Sequence, residues 1–156
     1  MTIRKLEDRD VIDVADLAMK TFEKYNGSDY YELESITSTL DYFDPKKNTE
    51  QELLEKFSKK PLFYVAEKEH KIIGMISGVP NRISSIFVEG SHHGNGIGRK
   101  LIEHFEIEAK NNNSKYIKLE ASLFAVDFYQ KMGYKKTSGI CNHMGLKIYN
   151  MEKVFE

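Results

Sequence analysis

The sequence predicts an α/β fold (α+β in some schemes), a mixed sheet of six or seven strands with helices on both faces. Three observations carry this reading. Short apolar runs and amphipathic segments alternate in the order β-α-α-α-β-β-β-α-β-α-β-β along 156 residues. That length suits one compact core, so residues 1–156 read as a single domain. A strand also leads through a glycine-rich loop into a central helix and on to another strand, and strands joined by such a crossover run parallel.

The elements follow in order. Thr2 to Lys5 is a short first strand, and Asp8 or Asp10 places an acidic residue where a helix begins. Val11, Val14, Ala15, Ala18 and Phe22 recur at helical spacing and give one apolar face. Tyr25-Asn26-Gly27-Ser28-Asp29 breaks that helix. Leu33 to Phe43 reads as a second helix, ended by Asp44-Pro45. Thr49 and Glu52 form a capping-box pattern ahead of Leu53, Leu54 and Phe57, which predicts a helix to about Ser58. Leu62 to Ala66 and Ile72 to Val79, joined by the charged turn Glu67 to Lys71, read as an antiparallel pair. Ile83 to Val88 is the next strand, with Ile86 and Val88 on one face and Ser85 and Phe87 on the other. After the glycine loop, a helix turns Leu101, Ile102, Phe105 and Ala109 inward, and Asn111-Asn112-Asn113 ends it. Tyr116 to Leu119 is a strand, Leu123 to Met132 a helix stopped by Gly133, and Tyr134 to Thr137 and Leu146 to Met151 are the last two strands.

Composition narrows the function. Apolar residues make up 40% of the chain and charged residues 30%, too apolar for a disordered protein. A net charge of −1 provides no global field for nucleic acid. Nothing approaches the ~18 apolar residues of a membrane span, and the opening MTIRKLEDRD lacks the apolar stretch of a signal peptide. The sole cysteine, Cys141, has no internal disulfide partner, so a cytoplasmic location is expected. Its neighbours Ile140, Asn142 and His143 supply no nucleophile motif, and Cys141 reads as a small packed residue. The reading includes no metal.

The most informative stretch is His92-His93-Gly94-Asn95-Gly96-Ile97-Gly98-Arg99-Lys100-Leu101. Alternating glycines open backbone conformations closed to other residues and keep side chains out of the way. Successive amides can then converge beside the positive end of a helix, and Arg99 and Lys100 add charge there. Such a loop suits phosphate. A dinucleotide GxGxxG pattern would need glycine where Arg99 stands, and no P-loop ending in Gly-Lys-Ser/Thr is present. Glycine-rich turns also join strands to helices without binding anything.

His93-Gly94-Asn95-Gly96-Ile97-Gly98 resembles the Arg/Gln-x-x-Gly-x-Gly/Ala signature of the GNAT superfamily of N-acetyltransferases, with His93 in the usual Arg or Gln position. Downstream, Ser122-Leu123-Phe124-Ala125-Val126-Asp127-Phe128-Tyr129-Gln130-Lys131-Met132-Gly133-Tyr134 resembles the family's Asn-x-x-Ala-x-x-Phe-Tyr-x-x-x-Gly-Phe/Tyr, with serine replacing asparagine. Met151-Glu152-Lys153 looks like the common family ending, and the match is good over about residues 60–153. The resemblance implies a GNAT-like, mostly antiparallel sheet and an acetyl-coenzyme A-dependent N-acetyltransferase, in which a primary amine attacks directly in a ternary complex. It implies that Gly94, Asn95, Gly96, Ile97, Gly98, Arg99 and Lys100, with His93, hold the pyrophosphate. Backbone groups of Ile86, Phe87 and Val88 would hold the pantetheine arm and polarise the carbonyl, and Ser122, Ala125 and Phe128 would flank the cofactor. An amide donor so placed contributes several kcal/mol to a transition state.

Tyr129 is the candidate general acid, because a phenol of pKa about 10 is protonated at neutral pH and can donate to a departing thiolate. Packing of Phe128 and Tyr129 between helix and sheet is the alternative. Glu89 is the first candidate for general base, with His92, Glu120 and His143 as others, and a water chain could serve instead. Tyr25, Asp29, Tyr30 and Tyr31, with Glu32 and Glu34, are the candidate acceptor site. Acidic and aromatic groups suit a cationic amine, though a solvated surface has the same composition. The expected partner is a small-molecule or peptide amine, not nucleic acid or membrane. The acceptor, the acyl length and the oligomeric state, a homodimer among the options, stay open. The competing function is a non-catalytic acyl-coenzyme A-binding sensor or assembly module of the same fold.

Overall fold

Side-chain alternation builds the centre of the sheet. In the computed structural model, which describes residues 1–25, 40–92, 94–143 and 145–156, strand β2 (Leu62–Lys68) sends Leu62, Tyr64 and Ala66 to one face and Phe63 and Val65 to the other. Its neighbour β3 (Lys71–Val79) does the same with Ile73 and Ile76 against Ile72 and Met75. The parity is kept by a bulge: Ala66 pairs Gly74 and Glu67 pairs Ile72, so Ile73 is the extra residue. With apolar residues on both faces, the sheet needs a layer of helices on each side.

Those helices are α1 (Val11–Tyr25) and α2 (Glu50–Ser58) on one side, and α3 (Ile97–Asn111) and α4 (Val126–Lys131) on the other. Val11, Val14, Ala15, Ala18 and Phe22 of α1 are all buried, as their spacing predicts. Thr49 and Glu52 form the expected reciprocal capping box of α2, and Leu53 and Phe57 close over Phe63 and Val65. Leu101, Ile102, Phe105 and Ala109 of α3 have no measurable exposure. Gly74 lets α3 come close, since a β-carbon there would stand 3.1 Å from Leu101 Cδ1.

Among the described residues, seven strands form one sheet in the order β1-β2-β3-β4-β5-β7-β6. The others are β1 (Thr2–Lys5), β4 (Arg82–Val88), β5 (Tyr116–Ser122), β6 (Lys135–His143) and β7 (Leu146–Val154). Every neighbouring pair is antiparallel except β4 and β5, the strands that flank α3. Their parallel ladder is confined to Arg82 opposite Lys118, with the Lys118 N–H donating to Asn81 C=O at 2.9 Å. Beyond that point the ladder stops, and Ile86–Val88 and Ser122 lie on the two sides of an opening in the sheet.

Several boundaries differ from the sequence reading. The predicted helix Leu123 to Met132 begins as a 3₁₀ turn, Leu123–Ala125, and becomes α-helical only at Val126, because no side chain caps either start. β5 extends to Ser122 on the alternation of buried Ile117, Leu119 and Ala121 with polar neighbours. β6 reaches His143, although most of it is exposed, because its ladder to β7 supplies the partners that its polar sequence does not advertise. Of the predicted helix Leu33 to Phe43, only residues 40–43 are described, and they are helical. Among the described residues no helix is long and apolar enough to cross a membrane.

Candidate active site

The loop after β4 is shaped by its backbone. The Glu89 N–H donates to Ile73 C=O at 2.8 Å, a 3₁₀ turn follows over Gly90–His92, and Gly96 is the N-cap of α3. Gly94 and Gly96 take φ of 84° and 75°, a region that L side chains rarely adopt. Its N-cap, Gly96, has no side chain with which to cap α3, and the first internal bond is Lys100 N–H to Gly96 C=O at 3.1 Å. The amides of Ile97, Gly98 and Arg99 thus stand at the positive helix end with no partner inside the helix. The Arg99 side chain is exposed and lies 4.0 Å from Glu103.

This helix end opens into a cavity of about 430 Å³ set in the gap between β4 and β5. Ile86, Phe87 and Val88 form one wall, Gly94, Gly96, Ile97, Gly98 and Arg99 a second, and Ser122, Phe124, Ala125, Phe128 and Tyr129 a third. Thr21 of α1 and His92 complete it. The structure therefore brings together most of the residues that the two motifs nominate. Asn95 and Lys100 are exposed and do not line the cavity. His93 lies outside the described residues, as do Asp29, Tyr30 and Tyr31 of the acceptor group, and Tyr25 is the last residue of α1.

Tyr129 is 6% exposed yet lines the cavity. Its ring meets Phe128 at 5.3 Å and Tyr134 at 5.9 Å, both edge-on. Burial pushes its phenol well above the ordinary value, so the hydroxyl stays protonated throughout the neutral range. The base candidates separate. Glu89 Oε2 lies 2.6 Å from His92 Nδ1; His92 lines the cavity, whereas Glu89 does not. Glu120 and His143 lie 3.8 Å from each other, with Arg82 also 3.8 Å from Glu120, and none of the three lines the cavity. Cys141 sits on β6 beside Ser138 and Asn150, apart from the cavity wall.

Sequence reasoning did not nominate Thr21 or Phe124. Thr21 is buried at 8% exposure on the apolar face of α1, and a hydroxyl at core spacing was the available signal. Phe124 is 47% exposed, a large apolar residue inside the second motif that the core does not absorb.

The acetyltransferase (GNAT) domain family model matches residues 28–155. N-acetyltransferase 8B of Homo sapiens is 26% identical over 105 residues, 59% of this chain and 46% of that protein. The chain thus spans about half the length of this curated relative. Solved structures share the fold: a GCN5-related N-acetyltransferase from Rhodopseudomonas palustris superposes with a TM-score of 0.81 at 21% identity, over 99% of this chain and 95% of that one. The PaiA N-acetyltransferase from Thermoplasma acidophilum, solved in complex with coenzyme A, gives 0.77 at 21% identity over 99% and 98%. The family match covers most of the chain and includes both motifs that meet at the cavity, so this protein belongs to the GNAT acetyltransferase family.

Proposed function

We propose that this chain transfers an acetyl group from acetyl-coenzyme A to a primary amine by direct attack in a ternary complex. The observation that carries the reading is that the glycine cradle and Tyr129 line one cavity, in the gap where the β4–β5 ladder ends. The residues present suit the cofactor. An uncapped helix start preceded by glycines at positive φ offers converging amides to a pyrophosphate, and the mostly apolar walls suit a pantetheine arm.

When bound, acetyl-coenzyme A supplies the acetyl group as an activated thioester. The amides of Ile97, Gly98 and Arg99 would hold the diphosphate, with the Arg99 guanidinium adding charge there. The main chain of Ile86 to Val88 would align the arm and donate to the thioester oxygen, with Phe128 and Ala125 on the opposite wall. Tyr129, kept protonated by burial, would be the proton source for the leaving sulfur. The amine proton would go to His92, whose Nδ1 Glu89 holds at 2.6 Å, so Glu89 would act through the imidazole rather than on the substrate itself. Direct attack is favoured over an acyl-cysteine route because Cys141 lies apart from the cavity.

The test is a screen of amines with acetyl-coenzyme A, following free thiol release. Amine-dependent release that Tyr129→Phe suppresses supports the reading. Tight coenzyme A binding with no release for any amine class would instead favour the sensor or assembly role.

A further inference from the structure

Helix α4 carries Phe128 and Tyr129 but is only six residues long, and its N-cap Ala125 provides no side-chain cap. A helix of that length does not hold itself in water. Its C-terminal end is gripped from outside. The Tyr129 carbonyl accepts from the N–H groups of Met132 and Tyr134, both at 3.0 Å. The Met132 carbonyl in turn accepts from Lys153 Nζ of β7 at 2.9 Å. The same ammonium donates to both carboxylate oxygens of Glu106 at 3.0 Å, and Glu106 is 7% exposed on α3. The Tyr134 hydroxyl donates to Glu106 Oε2 at 3.2 Å, and its ring packs edge-on against Tyr129. Gly133, at φ 95°, leaves room for this arrangement, since a β-carbon there would stand 3.3 Å from Lys153 Cε.

A largely buried ion pair is weak evidence for stability, because desolvation offsets much of its attraction. What this one supplies is geometry, because it fixes the turn that ends α4. We propose that Lys153 and Glu106 are positioning residues that set the orientation of Tyr129 in the cavity through Met132 and Tyr134. This rests on the reading of Tyr129 as the proton donor. It also makes α3 serve both halves of the site, with the cofactor cradle at its first turn and Glu106 further along.

The test uses the full chain with Lys153→Met, Lys153→Arg and Glu106→Gln, each alone and on the Tyr129→Phe background. Lys153→Met is expected to lower kcat roughly ten- to a hundred-fold, the scale of a small misplacement, with acetyl-coenzyme A KM and coenzyme A Kd within about twofold. On the Tyr129→Phe background that loss is expected to vanish, since residues acting as one unit are non-additive. Lys153→Arg, which keeps the charge and donors, is expected to recover most of kcat. A second readout needs no turnover: the ring-carbon NMR resonance of Tyr129, assigned by its loss in Tyr129→Phe, is expected to broaden or shift in Lys153→Met and return in Lys153→Arg. An unmoved Tyr129 resonance, or an undiminished loss of kcat on the Tyr129→Phe background, would overturn the proposal. If Lys153→Met does not fold, Glu106→Gln carries the same two readouts. Absence of coenzyme A binding or thiol release in the wild-type chain would count against the proposed function, whereas the resonance still decides the positioning role.

Discussion

Gly98 and Phe128 meet where α3 and α4 approach the cavity: a β-carbon on Gly98 would stand 3.1 Å from Phe128 Cζ. The first turn of the cradle helix therefore rests on an aromatic ring of the second motif. Two sequence signals about thirty residues apart are one packed contact in space.

The first prediction follows from that contact. Gly98→Val must push Phe128 aside, and coenzyme A affinity should fall at least about tenfold, or ~1.4 kcal/mol. Phe128→Ala should restore part of the loss by removing the obstructing ring, because residues in contact couple. Calorimetric titration of both single variants and the double variant checks this. Equal, additive losses would mean that the glycine is not needed for close approach.

Tyr129 yields the second. Tyr129→Phe should lower kcat by roughly 10²- to 10⁴-fold, as expected for a single acid–base group, with coenzyme A affinity little changed. Because burial raises the phenol, its ionisation should limit the wild-type rate only above pH about 10, the ordinary phenol value. The sign for stability is the same: a raised folded value favours the neutral form, so this contribution is intact below the unfolded value and lost as pH climbs through the folded one. Near-wild-type kcat in the phenylalanine variant, with Tyr129→Ala losing ~3 kcal/mol of stability, would leave Tyr129 a packing residue.

Arg4 and Asp10 give a third, away from the site. Arg4 donates to both oxygens of Asp10 at 2.7 and 3.0 Å and to Glu67 at 2.9 Å, tying β1 to β2 and to the turn that leads into α1. Burial alone would raise the Asp10 carboxyl, but the Arg4 guanidinium and the Glu7 N–H outweigh it and hold it below the usual carboxylate range. A depressed value contributes stability that is present above the unfolded value, about 3.9, and is lost as pH falls through the folded one. Asp10→Asn should therefore cost about 3 kcal/mol at neutral pH and flatten the loss of stability on acidification. Urea unfolding across that range checks it, and an unchanged acid dependence would remove Asp10 from the account.

Cys141 provides a fourth. It lies on β6 outside the cavity wall, so Cys141→Ala should retain most activity under reducing conditions. A loss of several orders of magnitude with the fold intact would point to an acyl-cysteine intermediate.

What the sequence made legible was local. Apolar spacing placed the buried faces of α1 and α3, and Thr49 with Glu52 marked the start of α2 before any packing was considered. The glycines of the loop spoke for themselves because the two that need positive φ, Gly94 and Gly96, have few substitutes. What remained hidden depends on partners distant in sequence. The cavity exists because the β4–β5 ladder ends at Arg82 and Lys118, and nothing in either strand's own pattern says where pairing stops. Thr21 enters the wall only because α1 packs across β4. The exposed strand β6 looks unlike a strand because its reason for being one is β7. Glu89 and His92 were separate candidates in the sequence; in the fold they are paired at 2.6 Å, and His92 is the one that lines the cavity.

On the proposed function, acetyl-coenzyme A binds in the cradle of which Gly96 is the N-cap. A ligand bound only by the folded state at a hundred times its Kd adds about 2.7 kcal/mol, which for a chain of this size raises Tm by about 5–10 °C. Gly96→Val places a branched side chain at φ 75°, which such residues rarely adopt, while its β-carbon meets no described atom within 4 Å beyond its chain neighbours, so the strain falls on the loop backbone rather than the core. The most direct measurement is the melting temperature of wild type and Gly96→Val with and without saturating acetyl-coenzyme A. A rise of that size is expected in the wild type and little or none in a folded Gly96→Val. An equal rise in both, or none in the wild type, would contradict it.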